Sequence, residues 1–221
     1  MEDPDLPDES MVLSYLALRK SVGVIGMLLP FVLAGGHMLA AGPRVEGSIS
    51  AYYWTEMRDV LVGSLCAIAV LLFAYRGPEK ADDFLAHFAG ISAVGVALAP
   101  SRPDGPFGLV HYVFAASFFL ALAYFSLVLF RKTNPRERPT RRKLMRNRVY
   151  AVCGCTMLAC VALIGLVSFT RLGELLGRHS PVFWLESVAI FAFGVSWFTK
   201  GEAILKDEQP WGSDPTITGP L

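Results

Sequence analysis

Hydrophobic residues fall into six runs separated by short polar segments. Most runs approach the roughly 20 helical residues that cross a hydrocarbon core of about 30 Å. The second and third runs are short and need helical extension into polar flanks or local thinning of the bilayer. None shows the strict alternation of a membrane β-strand, so we predict an all-α, polytopic membrane bundle of six transmembrane helices. The predicted spans are 22–41, 60–75, 84–99, 109–130, 149–169 and 182–199.

Lysine and arginine are divided unevenly between the two ends of this predicted bundle. Fifteen of the 20 lie at the chain ends or in the loops around 76–83 and 131–148. By the positive-inside rule, both termini are then cytoplasmic. We expect a multi-pass protein of the cell (plasma or inner) membrane. Its predicted parts are a cytoplasmic N-terminal segment (1–21), a transmembrane domain (22–200) with a basic cytoplasmic loop (131–148), and a cytoplasmic tail (201–221).

Composition agrees with a membrane class. Hydrophobic residues make up 53% of the chain and charged residues 18%, whereas soluble domains carry about 25% charged residues. The net charge of +1 provides no global field for nucleic acid. In the basic loop no aromatic residues interleave for base stacking, so we predict orientation and non-specific contact with anionic lipid there, and no nucleic-acid partner.

Small residues recur at helix-packing spacing in two of the predicted spans. Ala89, Ala93 and Ala97 lie four positions apart in the third span, and Gly23 and Gly26 mark the first. In lipid, helices associate through close backbone approach at such positions. We therefore predict a tightly packed bundle.

The connector between the first two spans, residues 47–59, is rich in hydroxyl, aromatic and charged side chains. With the predicted topology, it shares a layer near the outer surface with polar residues of three spans. Ionisable groups at this depth are costly and usually face the bundle interior. Glu186 is flanked by apolar residues, so we expect Arg58 or His111 as its partner. The predicted ligand-binding residues are His37, Ser48, Ser50, Tyr52, Tyr53, Arg58, Asp59, His111 and Glu186.

Two other interpretations of this polar layer were considered, of which one stays open and one is disfavoured. A structural network of hydrogen bonds and ion pairs that fixes helix register is as compatible with the pattern as a binding pocket. A hydrolytic metal site is disfavoured because no HxxxH or HExxH spacing places two ligands on one helical face. The four cysteines lie in apolar runs, where a thiol behaves as a small hydrophobe. We therefore predict no metal and no cofactor.

Several of these features occur together in a known superfamily. They are the Ser48-Ile49-Ser50 motif in the first outer loop, the turn from Ala99-Pro100 to Asp104, and His111 and Glu186 near the starts of the fourth and sixth spans. The chain resembles the superfamily of the damage-regulated autophagy modulators, the GPI-anchor remodelling factors and their uncharacterised bacterial relatives. This resemblance implies a six-helix membrane fold and a role in handling lipid. It transfers no catalytic residue.

The first functional hypothesis is a non-enzymatic protein whose outward-facing pocket binds a lipid headgroup or small amphiphile, with membrane lipids as partners. Arg58 and His111 would meet anionic groups, and Asp59 and Glu186 would position those cations. Ser48 and Ser50 would donate hydrogen bonds. The aromatic residues of the connector would lie at the membrane interface, where amphipathic rings are favoured; these are Tyr52, Tyr53 and Trp54.

Two alternatives come from other classes of protein. A membrane hydrolase or acyltransferase would use Ser50 as nucleophile and His111 as base, with Asp59 or Glu186 behind it. This requires Ser50 and His111 at a hydrogen-bond distance of about 2.6–3.2 Å. A structural or assembly subunit would instead meet a membrane-protein partner or a second copy of itself, through the basic loop or the small-residue stripes.

Overall fold

The computed structural model describes residues 9–99, 107–133, 140–176 and 179–203, and in these ranges the chain is helical without any β-strand. A 3₁₀ helix, Ser50–Trp54, follows the first long helix, and a π-helical turn, Phe125–Leu129, continues the fourth. The α-helices are α1 (Glu9–Ala41), α2 (Arg58–Ala74), α3 (Lys80–Leu98), α4 (Phe107–Tyr124), α5 (Arg141–Phe169), α6 (Leu172–Leu176) and α7 (Pro181–Lys200).

The six long helices form a closed ring. Each of α1 to α5 packs against the next long helix in the chain, and α7 closes the ring by packing against both α5 and α1. We call the end that holds the connector between α1 and α2 the loop end. The other end, where α2 ends near Tyr75 and α7 ends at Lys200, is the far end.

Within the described ranges, five helices are long and apolar enough to cross a membrane, which is the character of a multi-pass membrane protein. The helix missing from this set is α2, which has 17 residues and a length of about 26 Å at 1.5 Å per residue. The predicted all-helical membrane architecture is therefore confirmed, and the sixth span stays a prediction. The five segments are Tyr15–Ala41, Lys80–Leu98, Gly108–Leu129, Arg141–Phe169 and Pro181–Lys200.

Helix boundaries differ most from the prediction at α1, which begins at Glu9 inside the expected N-terminal segment 1–21, and next at α5. The expected basic loop 131–148 is helical from Arg141 onward, so that part of the prediction is wrong. Thr140 caps the new helix start, because its hydroxyl accepts a hydrogen bond from the Lys143 amide at 3.1 Å. The segment is rich in Arg, Lys, Leu and Met, which are good helix formers. Its positive charge was therefore not evidence that it forms a loop.

Helix α3 shows the predicted extension into polar residues. It begins at Lys80, four residues before the predicted start of the span, and Glu79 and Asp82 form a capping box there. The extension gives α3 19 residues, which is close to the length that a crossing needs.

Close backbone approach holds α1 against α7. A Cβ atom added to Gly23 would lie 2.6 Å from the Phe198 amide nitrogen and 2.8 Å from the Gly194 carbonyl oxygen. Any larger residue at position 23 would force these helices apart. On the other side of the ring Ala89, Ala93 and Ala97 are buried, so the predicted packing through small residues is confirmed.

Aromatic side chains fill the core of the far end. The Trp197 ring lies 5.4 Å from the ring centroids of Tyr75, Phe125 and Phe130, within the range of favourable aromatic pairing. Nearby, the buried Ser126 and Ser196 hydroxyls lie 2.7 Å apart and link α4 to α7. At the loop end, by contrast, polar side chains of the connector, α4 and α7 lie beside a cavity.

Candidate functional site

The connector between α1 and α2 is joined to the start of α7 by reciprocal hydrogen bonds. The Glu186 carboxylate accepts the Ile49 amide at 2.5 Å and also accepts from the Ser50 amide. In return, the Gly47 carbonyl accepts the Phe183 amide at 3.0 Å. The first amides of any helix lack partners within that helix. Here each of the two helix starts supplies the acceptor that the other one needs.

His111, in the first turns of α4, lies between a backbone carbonyl and a serine. Its Nδ1 atom is 2.7 Å from the Ala99 oxygen, and its Nε2 atom is 2.9 Å from the Ser50 hydroxyl. A carbonyl oxygen only accepts, so Nδ1 carries the proton and donates it. In the neutral imidazole, Nε2 is then the acceptor, and the Ser50 hydroxyl donates to it.

A cavity of about 510 Å³ lies beside these residues. The connector covers one end of it, and α4, α5 and α7 form the walls. Ser48, Ser50, His111 and Glu186 supply the polar end. The remaining walls are mainly apolar and include Phe119 of α4 together with Val161, Ile164 and Phe169 of α5. The chamber therefore has one polar end and otherwise apolar walls.

Arg58 lies outside this cavity, and both ring nitrogens of His111 contact other groups, so the expected pairing of Glu186 with Arg58 or His111 is wrong. Its side chain is exposed and donates to the Tyr53 hydroxyl at 2.8 Å, with the guanidinium carbon 4.4 Å from the Tyr53 ring centroid. Asp59 is also exposed, in the first turn of α2. At the start of α2 a guanidinium keeps its hydration and gains a cation–π contact, whereas burial beside Glu186 would remove that water.

His37 and Tyr52 belong to a neighbouring cluster and not to the cavity. His37 Nδ1 lies 2.6 Å from a Glu56 oxygen, and Nε2 lies 3.4 Å from a Glu46 oxygen. Hydrogen bonds from its own backbone amide and from His37 lower the pKa of Glu56. The Tyr52 ring packs edge-on to His37 with centroids 5.6 Å apart.

The aromatic residues of the connector divide between core and surface. Tyr52 is fully buried, so its ring faces other side chains and not lipid, and burial raises the pKa of its hydroxyl. Trp54 is half exposed, as an interface residue would be. The Ser48 hydroxyl accepts the Ala51 amide at 3.0 Å and so stabilises the 3₁₀ helix, although Ser48 also borders the cavity.

Sequence reasoning found Ser50, His111 and Glu186 but missed the groups that orient them. Those groups are the Ala99 carbonyl and the Ile49 and Ser50 amides, and a backbone atom has no residue-type signal. It also missed Glu46 as a partner of His37. Within the described ranges, no three His, Cys, Asp or Glu side chains come together as a metal-ligand set.

The fold and the site define a multi-pass helical membrane protein with a polar-ended cavity at its loop end. Comparisons with protein-family models, with curated proteins and with solved structures found no match. The superfamily resemblance of the Ser48-Ile49-Ser50 motif, His111 and Glu186 thus stays a prediction.

Proposed function

We propose that the protein binds a membrane amphiphile in the cavity between α4, α5 and α7, with the polar part of the ligand beside Ser50, His111 and Glu186. The observation that carries the proposal is the cavity itself, which joins one polar end to otherwise apolar walls. Such a chamber suits a molecule with a polar head and a hydrocarbon tail. The role this suggests is lipid handling in the cell membrane.

The proposal includes six spans, cytoplasmic termini and a cavity near the outer surface. Helix α2 packs between α1 and α3 and runs from the loop end of the bundle to the far end. This supports counting it as the sixth span. Its shortness of a few ångströms is within what local bilayer thinning accommodates. The excess of lysine and arginine at the far end supports a cytoplasmic far end.

The charges at the polar end narrow the ligand class. The cavity contains a carboxyl group and an imidazole whose ring nitrogens are both engaged, while Arg58 faces away. A strongly anionic headgroup would meet Glu186 without a cation to neutralise it. We therefore favour a headgroup that is neutral or positively charged and carries ester or hydroxyl oxygens. This replaces the expectation of an anionic headgroup held by Arg58.

Filling the cavity tests this proposal. Gly165 borders the cavity, and a Cβ atom added there meets no atom within 4 Å. Gly165→Phe should therefore fill part of the chamber and remove lipid that co-purifies with the wild-type protein, as measured by native mass spectrometry. Gly63 on the exposed face of α2 is equally open, so Gly63→Phe is the matched control. Equal lipid retention in both variants would refute the proposal.

A second candidate function, ester hydrolysis or acyl transfer, is favoured by the 2.9 Å distance between Ser50 and His111. Ser50 would attack an ester carbonyl carbon while His111 Nε2 takes the hydroxyl proton. The proton would pass to the leaving alcohol, and water or a second alcohol would release the acyl group. The Ala99 carbonyl would orient the imidazole, in place of the expected Asp59 or Glu186.

One structural feature argues against efficient catalysis in this arrangement. The Ile49 and Ser50 amides adjoin Ser50 in the chain, and both already donate to Glu186. An acyl-transfer enzyme needs such donors for the oxyanion that forms in the transition state. Amphiphile binding is therefore the first proposal and catalysis the second.

A fluorophosphonate probe separates the two functions. If Ser50 is an activated nucleophile, the probe should label the wild type and Ser48→Ala, but not Ser50→Ala or His111→Ala. Retention of lipid by Ser50→Ala would show that binding is intact in the unlabelled variant. Absence of labelling in the wild type, with lipid retained, would leave binding as the function and reject catalysis.

A further inference from the structure

A second concavity lies across α7 from the cavity of the proposed function, and we call it the lateral groove. It has a volume of about 640 Å³ and runs between α1 and α5 along one face of α7. That face consists of Trp184, Val188, Phe191 and Val195. Glu186 of the cavity is two positions from Trp184 and from Val188, which is a rotation of about 200° on an α-helix. The two sites therefore lie on opposite faces of α7 and share no lining residue.

The lateral groove lies where α1 and α7 stop touching through their backbones. At Gly23, an added Cβ atom would lie 2.8 Å from the Gly194 carbonyl oxygen. Pro30 follows within α1, and a proline inside a helix removes a backbone hydrogen bond and promotes bending. At Gly35, which lines the groove, an added Cβ atom meets no atom within 4 Å. The bundle therefore leaves a space beside Gly35 that its own side chains do not fill.

The lining of the lateral groove is suited to hydrocarbon. Among the described residues that line it none is charged, and its polar side chains are Cys153, Thr156 and Ser187. The Ser187 hydroxyl already donates to a carbonyl of its own helix at 2.7 Å. The exposed rings of Phe31 and Phe191 also line the groove and pack edge to face, with centroids 6.1 Å apart. An apolar concavity of this kind excludes water and accepts an apolar ligand.

The position and length of the lateral groove match one hydrocarbon chain of a bilayer leaflet. Each of α1, α5 and α7 contains a segment long and apolar enough to cross a membrane, so the groove faces hydrocarbon. Val195 lies 11 residues after Trp184, a distance of about 16 Å along the helix axis. This is about half of a hydrocarbon core of about 30 Å. A neighbouring transmembrane helix would instead pack through small residues, whereas Trp184 and Phe191 stand exposed here.

The loop end of the lateral groove carries groups that suit a phosphate headgroup. Trp184 is half exposed near the start of α7, and an indole is favoured at the membrane interface. Val45 of the connector lines this end of the groove. Arg44, which precedes it, is exposed, and its guanidinium makes no hydrogen bond or ion pair with the described residues. A guanidinium is a strong donor to phosphate oxygens.

We propose that the lateral groove binds one acyl chain of a glycerophospholipid whose phosphate contacts Arg44. This site differs from the cavity in the chemistry it selects. The cavity places Glu186 beside the headgroup, whereas the lateral groove places a cation there. The proposal does not depend on the amphiphile proposed for the cavity, because the two sites have separate walls.

Native mass spectrometry of the full chain tests the proposal after lipid removal in a neutral detergent and titration with phosphatidylglycerol. Gly35→Phe should fill the groove and remove one lipid adduct that the wild type and Gly63→Phe, on the exposed face of α2, both keep. Arg44→Gln should lower the affinity of that adduct about fivefold, the upper range for an exposed ionic contact. Arg171→Gln, which changes another exposed arginine of the loop end, should bind as the wild type does.

A further variant separates the lateral groove from the cavity. Gly165→Phe, which fills the cavity, should keep the phosphatidylglycerol adduct that Gly35→Phe loses. If Gly35→Phe does not fold, Val188→Trp fills the groove from the half-exposed face of α7. Retention of every adduct in the groove-filling variant would overturn the proposal. So would a wild-type dimer that this variant dissociates with no lipid lost, since a second copy would then occupy the groove. Equal affinity of Arg44→Gln and the wild type would overturn the phosphate contact.

Discussion

The two ends of the bundle stabilise their polar and charged side chains in different ways. At the loop end, ionisable groups are bound to the backbone, with the half-buried Glu186 on the Ile49 amide and the buried His111 on the Ala99 carbonyl. At the far end, cations collect against aromatic rings, as Arg19 does on Tyr15. A side chain whose partners are backbone atoms is held by fixed dipoles, whereas a guanidinium stacked on aromatic rings is held through its charge. The same helices thus stabilise polar groups in two chemically different ways.

The strongest test of this contrast removes the carboxylate at the loop end. Glu186→Ala leaves the Ile49 and Ser50 amides without their acceptor. An unsatisfied buried amide costs about 1–3 kcal/mol, so the free energy of unfolding should fall by about 2–4 kcal/mol. Thermal unfolding in detergent measures the loss, and Glu186→Gln, which keeps one acceptor oxygen, should lose less.

Ser187→Ala is the matched control on the next residue of α7. The Ser187 hydroxyl donates to the Phe183 carbonyl within its own helix, so its loss should change stability little. A Glu186→Ala protein as stable as Ser187→Ala would mean that the carboxylate does not hold the connector. The loop end would then no longer differ from the far end in the way described.

The next test concerns the ion pairs of Lys132 with the start of α3. Lys132 already pairs with Asp82 at 2.9 Å and with Glu79 at 3.0 Å. Hydrogen bonds to Asp82 and then Glu79 raise the pKa of Lys132 above its usual 10.5. A raised pKa means that the ammonium stabilises the folded state fully below pH 10.5, and that this contribution is lost as pH rises through the higher folded value.

Comparing the wild type with Lys132→Met over pH isolates this contribution. The difference in melting temperature should be constant from neutral pH to about pH 10 and should shrink above 10.5. Lys80→Met, at the start of the same α3 helix that carries Asp82, is the control for loss of one exposed charge. A difference that grows at alkaline pH would show that Lys132 is not the partner of Asp82.

The fold was largely predictable because the lengths and positions of the hydrophobic runs determine where the long helices lie. The six runs correspond to α1, α2, α3, α4, α5 and α7, and the polar extension of α3 to Lys80 was expected. The helical start of α5 at Arg141 was not expected. A basic segment indicates membrane orientation whether or not it is helical. Its N-cap, Thr140, was the available clue.

The candidate site was only partly predictable, for a different physical reason. Ser50, His111 and Glu186 do lie together around one cavity, as their positions near the ends of spans suggested. The hydrogen-bond partner of each side chain was not predictable. A carboxylate can accept from the amide of any residue, and the sequence does not mark which amides are free. Arg58 therefore looked like the natural partner of Glu186 and is not.

The smallest predicted effect concerns this same Arg58. It is exposed and held by the Tyr53 ring and hydroxyl, and an exposed cation–π contact contributes about 0.5–1 kcal/mol. Arg58→Ala should therefore lower the free energy of unfolding by less than about 1 kcal/mol and leave co-purifying lipid unchanged in native mass spectrometry. Tyr53→Phe, which removes only the hydroxyl acceptor, should lose still less. A loss comparable to that of Glu186→Ala, or loss of the lipid, would return Arg58 to the cavity site and make the loop end a charged site like the far end.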